Sequence, residues 1–409
     1  MTFKTNKLSV LADIQTGPFG SQLHQRDYVI KGTPIVTVEH LGNRRFSNQN
    51  LPMVSDSDKL RLFKYTLDYG DIVFSRVGSV DRCSLVLAEK GWMFSGRCLR
   101  VKPNKNEIIP EYLYYFFTTS SFKEHIRRIA VGATMPSINT ELMSNIPISY
   151  PTIGLQKAIA NILSSLDDKI ELNNKINKNL EEIAQTLYKR WFVDFEFPDE
   201  NGKPYKSSGG EMVDSELGMI PKGWEVVSVE KLVTKSNVKL DPSTGLKLID
   251  MANMPTYSIS LNSYGEGDKL TTNTYRMEKG SFLYGSIRPY LGKFGIAPFD
   301  GLTTGTIHNF CVKREFDYSF VAATVFSRQF NDFCIQLSHG TKMPTIKWKD
   351  FVSFKVAYEK NFSKKFNEFV YDFFNKIVIN TNENFTLAKT RDELLPKLMS
   401  GEIEVPVEE

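Results

Sequence analysis

The chain has 409 residues, 41% of them hydrophobic, 12% aromatic and 24% charged. That suffices for two to four packed units of ordinary globular composition. No apolar run approaches the roughly 18–20 residues of a membrane span, and no apolar stretch follows Met1 to Lys7 as a secretory leader would, so a cytoplasmic protein is expected. The net charge of +4 conceals an alternation along the chain. Residues 1–150 hold 19 Lys and Arg against 13 Asp and Glu, and residues 151–200 hold 6 against 9. Residues 201–361 then hold 20 against 16, and residues 362–409 hold 6 against 9. Two basic segments separated by acidic ones suggest two modules facing a polyanion and two segments with another task.

In chain order, residues 1–150 alternate short β-like runs with Gly, Pro, Asn and Asp turns. The runs include Thr33 to Val38, Asp71 to Phe74 and Cys98 to Val101, and Glu111 to Arg128 reads as one helix. A long helical pattern covers 155–192, and a polar Gly/Ser/Pro stretch, 203–223, suits a linker. Residues 224–356 repeat the β-rich pattern, 364–400 form a second long helix, and Gly401 to Glu409 reads as a loose acidic tail. The predicted organisation is therefore a mixed α/β domain (1–150), a helical region (151–200), a linker (201–223), a second α/β domain (224–361), and a distal helical region with its tail (362–409).

The two halves resemble one another. Gly132-Ala133-Thr134-Met135-Pro136-Ser137-Ile138 recurs as Gly340-Thr341-Lys342-Met343-Pro344-Thr345-Ile346, 208 residues later. Gly70 to Ser75 resembles Gly280 to Gly285 at an offset of 210. Such offsets indicate a duplication of two large units, not a solenoid. In the first long helix, Ile159, Leu163, Leu166, Ile170, Asn173, Asn177, Leu180, Ala184, Leu187 and Trp191 follow a 4-3 spacing. In the second, Phe366, Val370, Phe373, Ile377, Asn380, Asn384, Leu387, Arg391, Leu394 and Leu398 occupy the corresponding places. This spacing places each set on one seam. Either each helix packs on its own domain or the two pack on each other as an antiparallel coiled coil, and the matched asparagines favour the latter, because a slipped register would leave buried amides unpaired. Trp191 could anchor a partner or cap the helix pair internally.

Catalytic motifs are missing. There is no phosphate-binding Gly-x4-Gly-Lys-Ser/Thr loop and no pair of adjacent prolines for an amino-methyltransferase motif. Gly265-Glu266-Gly267 alone reads as a turn. Cys83, Cys98, Cys311 and Cys334 lack both disulfide and zinc spacing, and the five histidines form no metal pair. No metal and no catalytic residue is assigned. A methyltransferase or nuclease with dispersed catalytic residues stays open as an alternative, as does a scaffold without DNA contact.

Several stretches together carry a resemblance. They are Thr16-Gly17-Pro18-Phe19-Gly20-Ser21-Gln22-Leu23, the two Gly…Met-Pro blocks, Leu155 to Ile170, Asp214 to Trp224, and Leu394 to Ile403. In these the chain resembles the specificity (S) subunits of type I restriction–modification systems, over essentially its whole length. The resemblance implies two target-recognition domains, each reading half of an asymmetric, split site in double-stranded DNA, and two paired helical regions that dock two methyltransferase (modification) subunits. Restriction subunits would join for ATP-dependent cleavage. S-adenosylmethionine, ATP and magnesium would belong to those partners, with no cofactor in this chain. A helix from Ile159 to Trp191 would be roughly 50 Å long, on the order of 15 base pairs, enough to separate two half-sites.

Arg suits guanine, Gln and Asn suit adenine, and small residues permit close backbone approach. On these grounds the DNA contacts expected in the first domain are Gly20, Ser21, Gln22, Arg76, Ser79, Arg82, Thr134 and Met135. In the second they are Ser286, Arg288, Tyr290, Lys293, His308, Lys342 and Met343. The second domain has no clear copy of Gly17-Pro18-Phe19-Gly20. Tyr112, Tyr114 and Tyr115 are expected in the core.

Overall fold

The computed structural model describes residues 2–18, 20–241, 245–269 and 273–406. The chain divides into two compact units. The first comprises residues 1–168 and 388–409, the second residues 169–387.

In the first unit an antiparallel sheet runs in the order Ala12–Thr16, Cys98–Pro103, Ile72–Ser75, Cys83–Leu85. The run Ile72-Val73-Phe74 shows no polar alternation because both faces of this sheet are covered. Ile72 and Phe74 enter one core with Tyr112, Leu113 and Phe117, while Val73 enters another with Ile35, Val54 and Phe94. The smaller sheet on that second core takes the order Tyr28–Val29, Met53–Val54, Thr33–Val36, Met93–Phe94. Residues 111–128 are not one helix. Pro110–Thr118 and Ser120–Ile129 are separated at Thr119, whose extended backbone and hydroxyl cap the second helix by accepting from Phe122 N at 3.3 Å.

The second unit repeats this logic. Its four-stranded sheet has the order Val233–Lys235, Ile307–Val312, Phe282–Gly285, Phe294–Ile296. Phe282 and Tyr284 face a large aromatic core, and Leu283 faces a smaller one with Ile249, Met254 and Leu261. Gly265–Glu266 is a short strand paired with Lys247–Ile249, the fifth strand of a second sheet. The stretch read as a linker contains a hairpin, Met212–Ser215 with Gly218–Pro221. Its turn is made by Gly218 at φ +87°, and the Ser215 hydroxyl donates to the Gly218 carbonyl at 2.6 Å. That local chemistry organises a polar segment that has few apolar residues to announce it.

The central helix runs Ile153–Tyr188, followed by a π-turn over Lys189–Val193, and the distal helix runs Lys360–Ser400. Within the second unit, Asn173 Nδ2 donates to Asn384 Oδ1 at 2.9 Å and Asn380 Nδ2 donates to Asn177 Oδ1 at 2.8 Å. Asn384 Nδ2 in turn reaches Asn174 Oδ1 at 2.9 Å. Four residues up one helix correspond to four residues down the other, so they run antiparallel here. Leu180, Leu187, Phe366, Val370, Phe373 and Ile377 pack in the same core. Within the first unit, Ile159 and Leu163 share a core with Leu395 and Leu398, and Leu394 packs against it. Arg391 Nη1 donates to Asp167 Oδ1 at 2.5 Å, and Tyr115 Oη donates to Asp167 Oδ2 at 2.7 Å. Trp191 is buried beside Phe366 and Phe369, at ring separations of 5.8 and 6.0 Å, which is the internal-cap arrangement. Part of the expected loose tail is packed: Ile403 and Val405 lie against the first unit's core. Residues 407–409 fall outside the described residues.

Candidate nucleic-acid interface

The two sequence repeats, found at different offsets, are two sides of one structure in each unit. In the first, the chain leaving Ile72–Ser75 pairs with the Gly132 to Ile138 block. Ile138 N donates to Arg76 O at 2.9 Å and Gly78 N donates to Pro136 O at 2.8 Å. The block is closed on itself by reciprocal Val131 and Ser137 backbone bonds of 3.0 and 2.8 Å. In the second, Ile346 N donates to Ser286 O at 2.9 Å and Arg288 N to Pro344 O at 2.6 Å, with His339 and Thr345 closing the block. Gly132 and Gly340 adopt φ +109° and +102°, the left-handed turn that presents each tip. Met135 and Met343 at those tips are 60% and 54% exposed. A methionine exposed to that extent has no role in the core.

In the first unit, Val38, Ser75, Val77, Gly78, Ser79, Arg82, Arg97 and Met135 line a cleft of about 240 Å³. Arg97 was not among the sequence candidates. It has no local motif, and its carbonyl receives Arg76 N at 2.8 Å only because the sheet brings residues 76 and 97 together. Gly17, from the opening motif, approaches the same segment closely. A Cβ there would overlap the Ser95 carbonyl and lie 2.8 Å from Gly96 N, and Arg76 Nη1 donates to Gly96 O at 3.1 Å. The motif's Phe19 lies outside the described residues.

Nine of the fifteen expected contacts are exposed: Gly20, Ser21, Ser79, Thr134, Met135, Arg288, Tyr290, Lys342 and Met343. Four are half-buried and already engaged within the protein. Arg76 holds Gly96, Gln22 Oε1 accepts from Tyr65 Oη at 2.9 Å, Arg82 reaches the Leu41 carbonyl, and Lys293 reaches the Met254 carbonyl. Gln22 also lies apart from the cleft, in the neighbourhood of Tyr65 and Arg61.

Two expectations are overturned by burial. The Ser286 hydroxyl donates to Thr306 O at 2.8 Å, and His308 Nε2 lies 3.0 Å from Ile346 O, stacked edgewise on Trp348 and Phe351. Both shape the loop pair from beneath and present nothing to a ligand. Burial, with Lys235 adding repulsion, lowers the His308 pKa from 6.5 to about 4 against the opposing pull of the Ile346 carbonyl. The ring is therefore neutral in the fold and protonates more readily when unfolded. Its contribution to stability is full above about pH 6.5 and falls as pH drops toward 4. His308→Gln should flatten thermal stability across that window. Parallel profiles for the two proteins would show that the ring does not titrate as described.

Among the described residues no three His, Cys, Asp or Glu converge as a metal site, and no helix is long and apolar enough to cross a membrane.

Comparison with known proteins gives a consistent result. Residues 2–182 match the family model of the type I restriction modification DNA specificity domain. The chain is 28% identical over 316 residues to the MjaIX type I restriction enzyme specificity subunit of Methanocaldococcus jannaschii, covering 74% of this chain and 71% of that protein. It is 24% identical over 405 residues to the HindI specificity subunit of Haemophilus influenzae, covering 83% and 88%. The crystal structure of the type I restriction–modification S subunit from M. genitalium superposes with a TM-score of 0.56 at 17% identity, covering 97% of this chain and 96% of that one, which speaks to the fold.

Proposed function

We infer that the chain is a type I restriction–modification specificity subunit, and we propose that it selects a bipartite DNA sequence through its two bridged loop pairs. It recognises DNA as a non-catalytic member of a multisubunit assembly. The observation that carries the reading is the recurrence, in each unit, of the same backbone-zipped loop pair with an exposed methionine tip and nearby cations. Backbone bridging fixes such a tip without spending its side chains, which leaves them free for base edges.

In the same proposal the two halves are a pseudo-repeat, and the two long helices form an antiparallel coiled coil. They separate the half-sites and dock two methyltransferase subunits, with restriction subunits joining for cleavage. The paired asparagines support the register. The acidic balance of the helical segments suits protein partners, while the basic balance of the loop-bearing segments suits DNA. S-adenosylmethionine, ATP and magnesium are assigned to the partner subunits, and the assembly to the cytoplasm.

The test uses the complex assembled with its methyltransferase subunits. Lys342→Ala should weaken binding about equally on all DNA sequences and reduce the salt slope by about 1. Arg288→Ala should relax base choice at one half-site only, by about tenfold. If neither variant alters affinity, salt dependence or the methylated sequence, the loop pair is not the reading surface.

A further inference from the structure

The second unit's loop Ser286 to Lys293 is held by an element distant in sequence. Glu181 of the central helix directs Oε1 at three donors: Ile259 N at 3.0 Å, Ser258 Oγ at 3.2 Å and Ser260 Oγ at 3.3 Å. This carboxylate flanks the seam, four residues after Asn177 and three before Ala184. Burial raises its pKa to about 7 in spite of those bonds, so holding a carboxylate here carries a cost.

The clamped segment leads directly to the loop. Tyr257 adopts φ +49°, a left-handed backbone unfavourable for a tyrosine. Its N–H donates to Gly292 O at 2.8 Å, and its ring covers Gly292 so closely that a Cβ would lie 2.7 Å from the ring. Gly292 in turn closes the turn containing Arg288 and Tyr290, through Gly292 N to Pro289 O and Leu291 N to Arg288 O, both 2.9 Å. Thr256 bridges Lys293 and Ser260 bridges Ile296, so the whole segment lies along the far side of the loop. Asn331 fixes the ring from beneath, receiving Tyr284 Oη at 2.6 Å and donating to Tyr257 Oη at 3.2 Å. A strained tyrosine persists only where its surroundings over-determine it, and the Glu181 clamp is one of the restraints.

We infer that Glu181 is a positioning residue for DNA recognition, setting the Arg288 and Tyr290 loop of the second unit through Ser258 to Ser260 and Tyr257. The inference rests on the loop pair being the reading surface. The repeat offset of 207 puts Ala388 at the corresponding place on the distal helix, eight residues beyond Asn380 as Glu181 is beyond Asn173. The first unit therefore has no equivalent carboxylate, and the effect should be confined to one half-site.

The experiment is methylation mapping with the assembled complex carrying Glu181→Ala, Glu181→Gln or Arg288→Ala. Glu181→Ala should reduce discrimination about tenfold at the same half-site that Arg288→Ala affects, leaving the other half intact. Glu181→Gln, which keeps an acceptor oxygen, should restore it. Should Glu181→Ala fail to assemble, Ser258→Ala with Ser260→Ala removes two of the three donors and should give the same one-sided relaxation. Equal loss at both half-sites, or none at either while Arg288→Ala still relaxes one, overturns the positioning role. No effect of Arg288→Ala overturns the underlying reading surface, and this inference falls with it.

Discussion

Gly17→Ala should destabilise the first unit by about 3 kcal/mol and erase base choice at the half-site it reads. The added methyl group meets rigid backbone, the Ser95 carbonyl and Gly96 N, and no flexible side chain is there to yield. Overpacking of this kind costs about 1–3 kcal/mol and occasionally more, and the upper end applies because the obstruction is main chain. The displaced segment also carries the Gly96 carbonyl that holds Arg76 and the exposed Arg97 beside the cleft. Hydrogen exchange resolved by segment is the suitable measurement, because a chain of two units does not unfold as one two-state transition. Faster exchange over residues 12–16 and 95–103, with the second unit unchanged, is the expected pattern. Wild-type exchange and an unaltered half-site would remove the close approach from the account.

A comparable loss is expected from Asp167→Ala. Its carboxylate is the shared acceptor of Tyr115 Oη and Arg391 Nη1, with Asp167 9% and Arg391 28% exposed. Removing it strands a buried phenol and leaves the half-buried guanidinium to the exposed Asp392, which it already holds at 2.8 Å. Such a break costs on the order of 3 kcal/mol, below the figure for a fully buried pair because water reaches the arginine. Asp167→Asn keeps an acceptor for one partner and should lose less. Exchange protection over Pro110–Thr118 and the end of the distal helix should fall in that order across the two variants. Wild-type protection in both variants would mean that the pair contributes nothing measurable.

The sequence disclosed those parts of the molecule whose signal is local or periodic. The 4-3 spacing picked out much of the buried face of each long helix because burial on a helix repeats with the turn, and Ile159, Leu163, Ala184, Val370 and Ile377 are all buried. The same spacing missed Phe374, Val378 and Thr381, which are also buried, since a helix packed on a globular core hides a wider stripe than a two-helix seam. The Gly-x-x-Met-Pro blocks were visible because a left-handed glycine and an exposed tip each demand a particular residue.

Register across the sheet was not legible. Nothing near Arg97 signals that it faces Met135, and nothing near His308 signals that Trp348 and Phe351 cover it. Arg82 and Lys293 look like DNA-contacting cations in the sequence, yet both are turned inward to backbone carbonyls. A long cationic side chain reads the same whether it meets a phosphate or caps a loop. The hairpin at 212–221 and the helix break at Thr119 depend on single hydroxyl bonds that composition does not register.

The most direct measurement inserts one heptad at matching levels of both long helices and maps the methylated sites of the assembled complex. Seven residues add about 10 Å, or about three base pairs. The spacer should lengthen by about that amount between two unchanged half-sites. A spacer of the original length in an assembled, active complex would contradict it.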